Sequence, residues 1–207
     1  MKKYLSPIFW GLCFIIFTIL VKVIDVQALG AQGSLIGFAS LNLSVNQLLG
    51  TNHFCYMITQ FFGVLALLLA AVFAVTGFIQ LIKRKSLLKV DHEILMAGIV
   101  YAVVIILYVL FEKLAINYRP VVLDEGLEAS YPSTHTMLIL TILGTAIPLA
   151  GKYIKNPKLA LTVKLICILI MWLTVIFRLI SGVHWFTDII GGVLISLCLI
   201  RLYKALI

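Results

Sequence analysis

The chain has 207 residues, of which 63% are hydrophobic and only 12% are charged, and its formal net charge is +8 at pH 7. These proportions lie far outside the range of soluble domains, so they exclude a water-soluble globular fold and indicate an integral membrane protein. The basic excess lies in short turns between apolar runs, which favours contact with anionic lipid and argues against nucleic acid as a partner.

Six apolar runs are long enough to cross a bilayer, whose ~30 Å hydrocarbon core requires about 20 apolar residues per helix. They are residues 5–24, 55–82, 94–116, 133–151, 159–180 and 183–203. The first run exceeds the apolar core of a cleaved signal peptide, so we interpret it as a retained span. The sequence therefore predicts an all-α polytopic membrane protein in which residues 1–207 form a single six-span domain.

The longest connection, residues 28–52, joins the first two spans. Its apolar residues recur at roughly helical spacing; they are Leu35, Phe38, Leu41, Val45, Leu48 and Leu49. This pattern fits an amphipathic helix in the membrane interface that borders a lipid entrance. It fits equally well a loop helix that packs on the spans and has no part in substrate selection.

The distribution of basic residues predicts the orientation of the six spans. Twelve of the sixteen Lys and Arg residues fall on the face that carries both termini, and the other four are Lys22, Lys113, Arg119 and Arg178. The positive-inside rule therefore places both termini in the cytoplasm of a cell-membrane protein. The opposite face is then external.

The unusual polar residues of the chain gather on the predicted external face. Arg119, Ser133 and His135 lie around the third-to-fourth connection, and Arg178, His184 and Asp188 lie around the last one. Charged residues at membrane depth carry a cost of ~2.5–3.5 kcal/mol each at a helix centre. His184 and Asp188 are spaced i, i+4, so on a helix they would share one face and the carboxylate would orient the imidazole.

These residues form three motifs: Arg119-Pro120, "PSTH" at 132–135, and Arg178-x5-His184-x3-Asp188. The set resembles the signature of the type 2 phosphatidic acid phosphatase superfamily, whose membrane members are six-span lipid phosphatases. The resemblance implies that His184 is the nucleophile, that His135 is the general acid and base, and that Asp188 orients His184. It further implies that the residues that bind the phosphate are Arg119, Arg178, Ser133 and Thr134.

The chain departs from the family pattern at three positions. The first family motif has a lysine seven residues before the arginine, where this chain has Glu112, and the nearest lysine is Lys113. We name Lys113 as a further candidate phosphate ligand, although one residue turns a helix by about 100°. Thr134 replaces a glycine of the second motif, and Phe177 stands where the family usually has a serine before the arginine.

The chemistry of these groups agrees with the resemblance. Guanidinium forks match phosphate oxygens, and a neutral imidazole with a carboxylate behind it is a competent nucleophile. The scheme needs no metal and no cofactor. The expected substrate is a membrane lipid phosphate, with polyprenyl diphosphate, phosphatidylglycerol phosphate and phosphatidic acid all open. A non-catalytic lipid-binding scaffold and a small transporter are the alternatives, and the oligomeric state is not readable from the sequence.

Overall fold

A computed structural model describes residues 2–122 and 126–207, and within these ranges the regular elements are helical. Seven α-helices follow one another: α1 (Leu5–Val23), α2 (Ala39–Leu49), α3 (His53–Arg84), α4 (His92–Leu114), α5 (Thr134–Tyr153), α6 (Pro157–Ile180) and α7 (Phe186–Leu206). All except α2 are long and apolar enough to cross a membrane. The predicted all-α, six-span architecture is confirmed, and each helix end lies within three residues of its predicted position.

The helix ends follow ordinary capping chemistry. Asn52 precedes α3, and its side chain accepts a hydrogen bond from Cys55 N at 3.0 Å. Asn156 precedes α6 in the same way, with Pro157 at the first helical position, where no N–H is required. Lys85 ends α3 in the left-handed conformation. These local signals fix where α3 and α6 begin and where α3 ends.

Helices α5 and α7 form the centre of the bundle. Twelve of the 20 residues of α5 are buried, compared with four of the 32 residues of α3. Two glycines allow α7 to approach its neighbours: a Cβ on Gly191 would lie 2.6 Å from the Tyr131 ring, and one on Gly192 would lie 2.9 Å from the Thr136 Cβ. The outer sides of α1, α3 and α6 present exposed apolar side chains, as expected for a lipid-facing surface.

The bundle has two chemically different ends. We call the end where α1, α4 and α6 finish and α3, α5 and α7 begin the site face. The other end, called the basic face, carries both termini and twelve of the sixteen Lys and Arg residues. That the basic face is cytoplasmic stays a prediction from the charge distribution.

Residues 24–52, which we call the 24–52 segment, cover part of the site face. The segment contains an antiparallel bridge between Gln27 and Ile36, followed by α2, which packs against α7. Gly37 lies so close to the end of α1 that a Cβ there would be 1.6 Å from the Val21 carbonyl oxygen. Leu48 is 84% exposed, whereas Ala39 and Asn42 are buried against the bundle. A location of α2 in the membrane interface stays a prediction.

Candidate active site

The last motif spans the end of α6, a short turn and the start of α7. Arg178 lies in the last turn of α6, and Asp188 lies in the first turn of α7. His184 lies before α7, not on it, so the expected shared helical face does not exist. The two side chains approach because Asp188 folds back onto the turn: its Oδ2 accepts a hydrogen bond from Trp185 N at 2.9 Å and lies 3.5 Å from His184 Nδ1.

The Arg178 guanidinium is the centre of the polar cluster and is completely buried. Its Nη2 is 3.1 Å from His184 Nε2 and 3.3 Å from His135 Nδ1. Its Nη1 donates to Thr59 Oγ1 at 3.2 Å, and the guanidinium lies over the Tyr56 ring at 5.5 Å from the ring centre. Residues from α3, α5, α6 and the α6–α7 turn therefore meet at one side chain.

The protonation of His184 follows from these contacts. A guanidinium can only donate hydrogen bonds, so His184 Nε2 presents its lone pair to Arg178 and the ring proton lies on Nδ1, toward Asp188. Burial and the neighbouring positive charge of Arg178 hold the pKa of His184 well below its usual value of 6.5. The imidazole is therefore neutral at pH 7, with the Nε2 lone pair directed at Arg178.

Arg119 reaches the cluster from the loop between α4 and α5. This loop is held by an antiparallel bridge between Tyr118 and Ala129, and Arg119 Nε lies 2.7 Å from Glu128 Oε2. The residue before Arg119 contacts the third motif, since Trp185 Nε1 donates to Tyr118 O at 2.7 Å. Among the described residues, Arg119 Nη1 and Arg178 Nε have no hydrogen-bond acceptor although both are buried. Buried donors of this kind suit an anionic ligand.

The second motif lies at the start of α5. Ser133 caps the helix: its buried hydroxyl lies 3.0 Å from Thr136 Oγ1, and its N–H donates to Asp188 O at 2.9 Å. Thr134 and His135 follow in the first helical turn and are partly exposed. The free N–H groups and the positive dipole end of α5 therefore point toward the cluster.

Lys113 is not brought into the cluster. It is exposed in the last turn of α4, as is Glu112, whereas Phe111 is turned into the core. Two residues correspond to about 200° of helix rotation, which separates Lys113 from the buried face of α4. No hydrogen bond or ion pair links it to any residue in the described part of the chain.

Several residues of the site were missed by the sequence reasoning. Tyr56 and Thr59 lie one turn apart on α3 and flank Arg178, but two common polar residues in a long helix give no motif. Asn117 is fully buried, and its Nδ2 donates to Asp188 Oδ1 at 3.3 Å. Its place two residues before Arg119 was the signal that could have identified it.

A groove of about 480 Å³ opens beside His135, between α3, α4 and the start of α5. It is lined by Gln60, Gly63, Val64, Leu67, Tyr108, Thr134, His135 and Leu138. Val64 and Leu67 are both 54% exposed, so the groove opens toward the surroundings of the bundle. Within residues 2–122 and 126–207, no group of three His, Cys, Asp or Glu side chains is arranged to hold a metal ion.

Comparison with known proteins agrees with this architecture and with the family resemblance of the motifs. The model of the PAP2 superfamily matches residues 112–207, which contain all three motifs, so the resemblance of this part of the chain to the type 2 phosphatidic acid phosphatase superfamily is confirmed. The fold is that of a multi-pass membrane protein, and the family match supports a phosphatase class.

A solved structure extends the similarity to nearly the whole fold. It is the crystal structure of a transmembrane PAP2-type phosphatidylglycerolphosphate phosphatase from Bacillus subtilis, which is 20% identical in sequence and superposes with a TM-score of 0.68. The alignment covers 96% of this chain and 94% of the other. A search of curated protein sequences finds no match.

Proposed function

We propose that the chain is a membrane-embedded phosphatase that hydrolyses a lipid phosphomonoester or diphosphate through a phosphohistidine at His184. The observation that carries this proposal is the position of Arg178 Nη2, within 3.3 Å of both His135 Nδ1 and His184 Nε2. A phosphoryl group held by this guanidinium lies beside both rings. One ring can then act as nucleophile and the other as proton donor.

The reaction has two displacements. In the first, His184 Nε2 forms a bond to phosphorus, the bond from phosphorus to the lipid oxygen breaks, and that oxygen takes a proton from protonated His135. In the second, His135 takes a proton from water, the water oxygen bonds to phosphorus, and the electrons of the P–N bond return to His184. Asp188 stabilises the positive charge of the phosphohistidine from 3.5 Å away.

Four further groups support phosphate binding. Arg119 and Arg178 supply buried N–H donors, which hold the substrate and neutralise the charge that develops in the transition state. Ser133 and Thr134 place the N-terminus of α5 beside the phosphate, where its dipole favours negative charge. Lys113 has no part in this scheme, because it is exposed at the end of α4.

The substrate class follows from the groove beside His135. His135 protonates the leaving oxygen, so the lipid part of the substrate has to lie on that side of the phosphorus. The groove provides an apolar channel there, lined by Val64, Leu67 and Leu138, and it opens between α3 and α4. A lipid can therefore enter sideways from the bilayer. Phosphatidic acid, phosphatidylglycerol phosphate and polyprenyl diphosphate each supply such a chain.

The charge distribution supports an external site. The short turns of the basic face hold most Lys and Arg residues, so this face is the cytoplasmic one and the site face works on the outer leaflet. The test is labelling of single cysteines with a membrane-impermeant reagent in intact cells. A cysteine introduced at exposed Leu48 should be labelled, and one introduced at exposed Leu88 on the basic face should not.

The central experiment compares purified wild-type protein with His184→Ala in detergent. Phosphate release is measured with each of the three lipid phosphates. In parallel, the ³²P that a labelled substrate leaves on the protein is measured after rapid denaturation without acid. We expect His184→Ala to lose more than about 10³-fold in turnover and all of the labelled intermediate. His53→Ala is the matched control, since His53 is exposed at the start of α3. Substantial turnover by His184→Ala would contradict the mechanism, and no release by wild type would favour a scaffold or transporter.

Metal independence is tested on the same preparation. The scheme uses protein groups alone, so EDTA should leave turnover within about twofold, and vanadate, which mimics the phosphorus in its transition state, should inhibit. Strong inhibition by EDTA that is reversed by a divalent cation would instead indicate a metal-dependent phosphatase.

A further inference from the structure

Asp188 uses both of its carboxylate oxygens, and one of them is held from the α4–α5 loop. Oδ2 accepts from Trp185 N and faces His184, whereas Oδ1 accepts from Asn117 Nδ2 at 3.3 Å. Asp188 and Asn117 are both fully buried. The direction in which the carboxylate faces His184 therefore depends on a second residue outside the motif.

Asn117 is itself fixed by two other contacts. Its backbone oxygen accepts from Ser130 N at 2.8 Å, which closes the loop that carries Arg119. Its side-chain Oδ1 accepts from Gly37 N at 3.2 Å. Because the amide oxygen faces a donor, the amide nitrogen has to face Asp188. The 24–52 segment thus determines the orientation of Asn117.

Asn42 makes a parallel connection from α2 to the residue before Asp188. Its Nδ2 donates to Gly37 O at 2.8 Å and to Thr187 Oγ1 at 2.9 Å, and its Oδ1 accepts from Thr187 N at 3.1 Å. Thr187 N is one of the first N–H groups of α7, which lack acceptors within the helix. A fully buried side chain from another helix therefore caps the turn that carries Asp188.

The two asparagines both contact the backbone of Gly37, one at its N–H and one at its carbonyl. Gly37 cannot shift toward α1, since even a Cβ on this residue would lie 1.6 Å from Val21 O. Gly37, which packs on the end of α1, is thus joined to the start of α7 through two amide side chains. Neither asparagine hydrogen-bonds to His135, His184, Arg119 or Arg178 among the described residues.

We infer that Asn117 and Asn42 are positioning residues of the His184–Asp188 pair, and that the 24–52 segment acts through them to hold the pair in its reactive geometry. The inference rests on the proposed function for what the pair does. Asn117 acts on Asp188 directly, and Asn42 acts on the first turn of α7. Disturbance of either contact changes the orientation of the carboxylate without removal of any group that touches the phosphate.

The first test is a double-mutant cycle between Asn117→Ala and Asp188→Ala. Asn117→Ala should lower kcat by about 10- to 100-fold and change KM by less than about threefold, because orientation is lost while the phosphate ligands remain. In the Asp188→Ala background the same substitution should have almost no further effect on kcat. Independent, additive losses in the two backgrounds would overturn the inference.

A second variant keeps the test decisive if Asn117→Ala fails to fold. Asn117→Asp retains the acceptor for Gly37 N but replaces the donor to Asp188 with a carboxylate oxygen. A purely structural role predicts turnover close to wild type for this variant. The positioning role predicts a loss of kcat comparable with that of Asn117→Ala. Asn42→Ala should reduce kcat by about three- to tenfold, and Asn46→Ala, one turn further along α2, should leave it unchanged.

A spectroscopic readout separates this inference from the proposed function. The chain has four histidines, so ¹⁵N-histidine NMR in detergent can follow the His184 ring after assignment with His184→Ala. Wild type should show a single tautomer with the proton on Nδ1, which Arg178 keeps there by donating to Nε2. Asn117→Ala should shift the Nδ1 resonance, because the carboxylate that faces Nδ1 is reoriented. An unchanged ring signal would overturn the positioning role. Because the signal does not depend on turnover, it decides the matter even if wild type releases no phosphate from any lipid.

Discussion

Charged side chains lie at both ends of the helix bundle, but they are arranged differently. At the basic face, acids and bases pair with each other: Arg84 Nη1 lies 2.7 Å from Asp91 Oδ1, and Lys152 pairs with Glu93. At the site face, Arg178 is fully buried between two imidazoles, and Arg119 retains a buried N–H without an acceptor among the described residues. Paired charges stabilise the fold, whereas donors held without acceptors are prepared for a ligand.

Among the variants that test this comparison of the two ends, Arg178→Lys should have the largest effect. The planar fork of Arg178 contacts Thr59 through one nitrogen and both histidines through the other, and a lysine cannot reproduce this geometry. We expect kcat/KM for phosphate release to fall by about 10²- to 10³-fold. Arg201→Lys is the matched control, because Arg201 is exposed on the basic face. Equal losses of kcat/KM in the two variants would contradict the proposed difference between the site face and the basic face.

A smaller, more selective effect is expected from Gly63→Val. A Cβ at Gly63 would lie 3.4 Å from the His135 ring, so a larger side chain there narrows the groove beside the proposed general acid. We expect KM for a long-chain lipid phosphate to rise about tenfold, and KM for a short, water-soluble phosphate ester to change less than about twofold. Gly98→Val on α4 controls for the effect of valine on a helix, since no neighbouring atom lies within 4 Å of the position that a Cβ would occupy there. Equal changes for both substrates would show that the groove does not hold the lipid chain.

Asp91→Asn should affect stability and leave turnover unchanged. Asp91 accepts hydrogen bonds from Tyr153, Arg84 and Gln80 at the basic face. Together these hydrogen bonds contribute roughly 1 kcal/mol to the free energy of unfolding. Thermal unfolding in detergent should show a lower midpoint for the variant, while phosphate release per folded molecule stays as in wild type. Loss of turnover at full stability would contradict the assignment of the basic face to structure alone.

The smallest expected effect is the pH dependence of the contribution that Asp91 makes to the free energy of unfolding. The hydrogen bond from Tyr153, followed by that from Arg84, lowers the pKa of Asp91 from 3.8 to about 2. The carboxylate therefore stabilises the fold above about pH 4, and this contribution is lost as the pH falls from about 4 toward 2. The difference in unfolding midpoint between wild type and Asp91→Asn should shrink over this range. A difference that stays constant down to pH 2 would contradict the assigned cause.

The fold was largely predictable because hydropathy and helix length are local properties of the chain. The six spans follow from apolar runs, and the start of α5 follows from Pro132 and Ser133. The gathering of His135, Arg178 and His184 was also predictable, since topology brings the ends of these spans to one face. Their contacts confirm that the three side chains meet, whereas their catalytic roles stay predictions.

The other contacts of the site leave no periodic pattern in the sequence, so they could not be predicted from it. His184 approaches Asp188 through a turn closed by the Trp185 N–H, where the i, i+4 spacing had suggested a common helical face. Asn117 and Asn42 are single polar residues in connections, and only the packed structure shows what each one faces. Lys113 is exposed at the end of α4, because a residue displaced by one position along a helix points in a different direction.

The close packing of α7 at Gly191 and Gly192 limits which amino acids these two positions can accept. Neither residue can touch a phosphate, yet any side chain at either position pushes α7 away from Tyr131 and from the start of α5. That displacement would separate His135, carried by α5, from His184, carried by the turn before α7. In a library selected for activity, both positions should therefore tolerate as few replacements as the histidines themselves, whereas selection for membrane insertion alone should accept alanine or serine there.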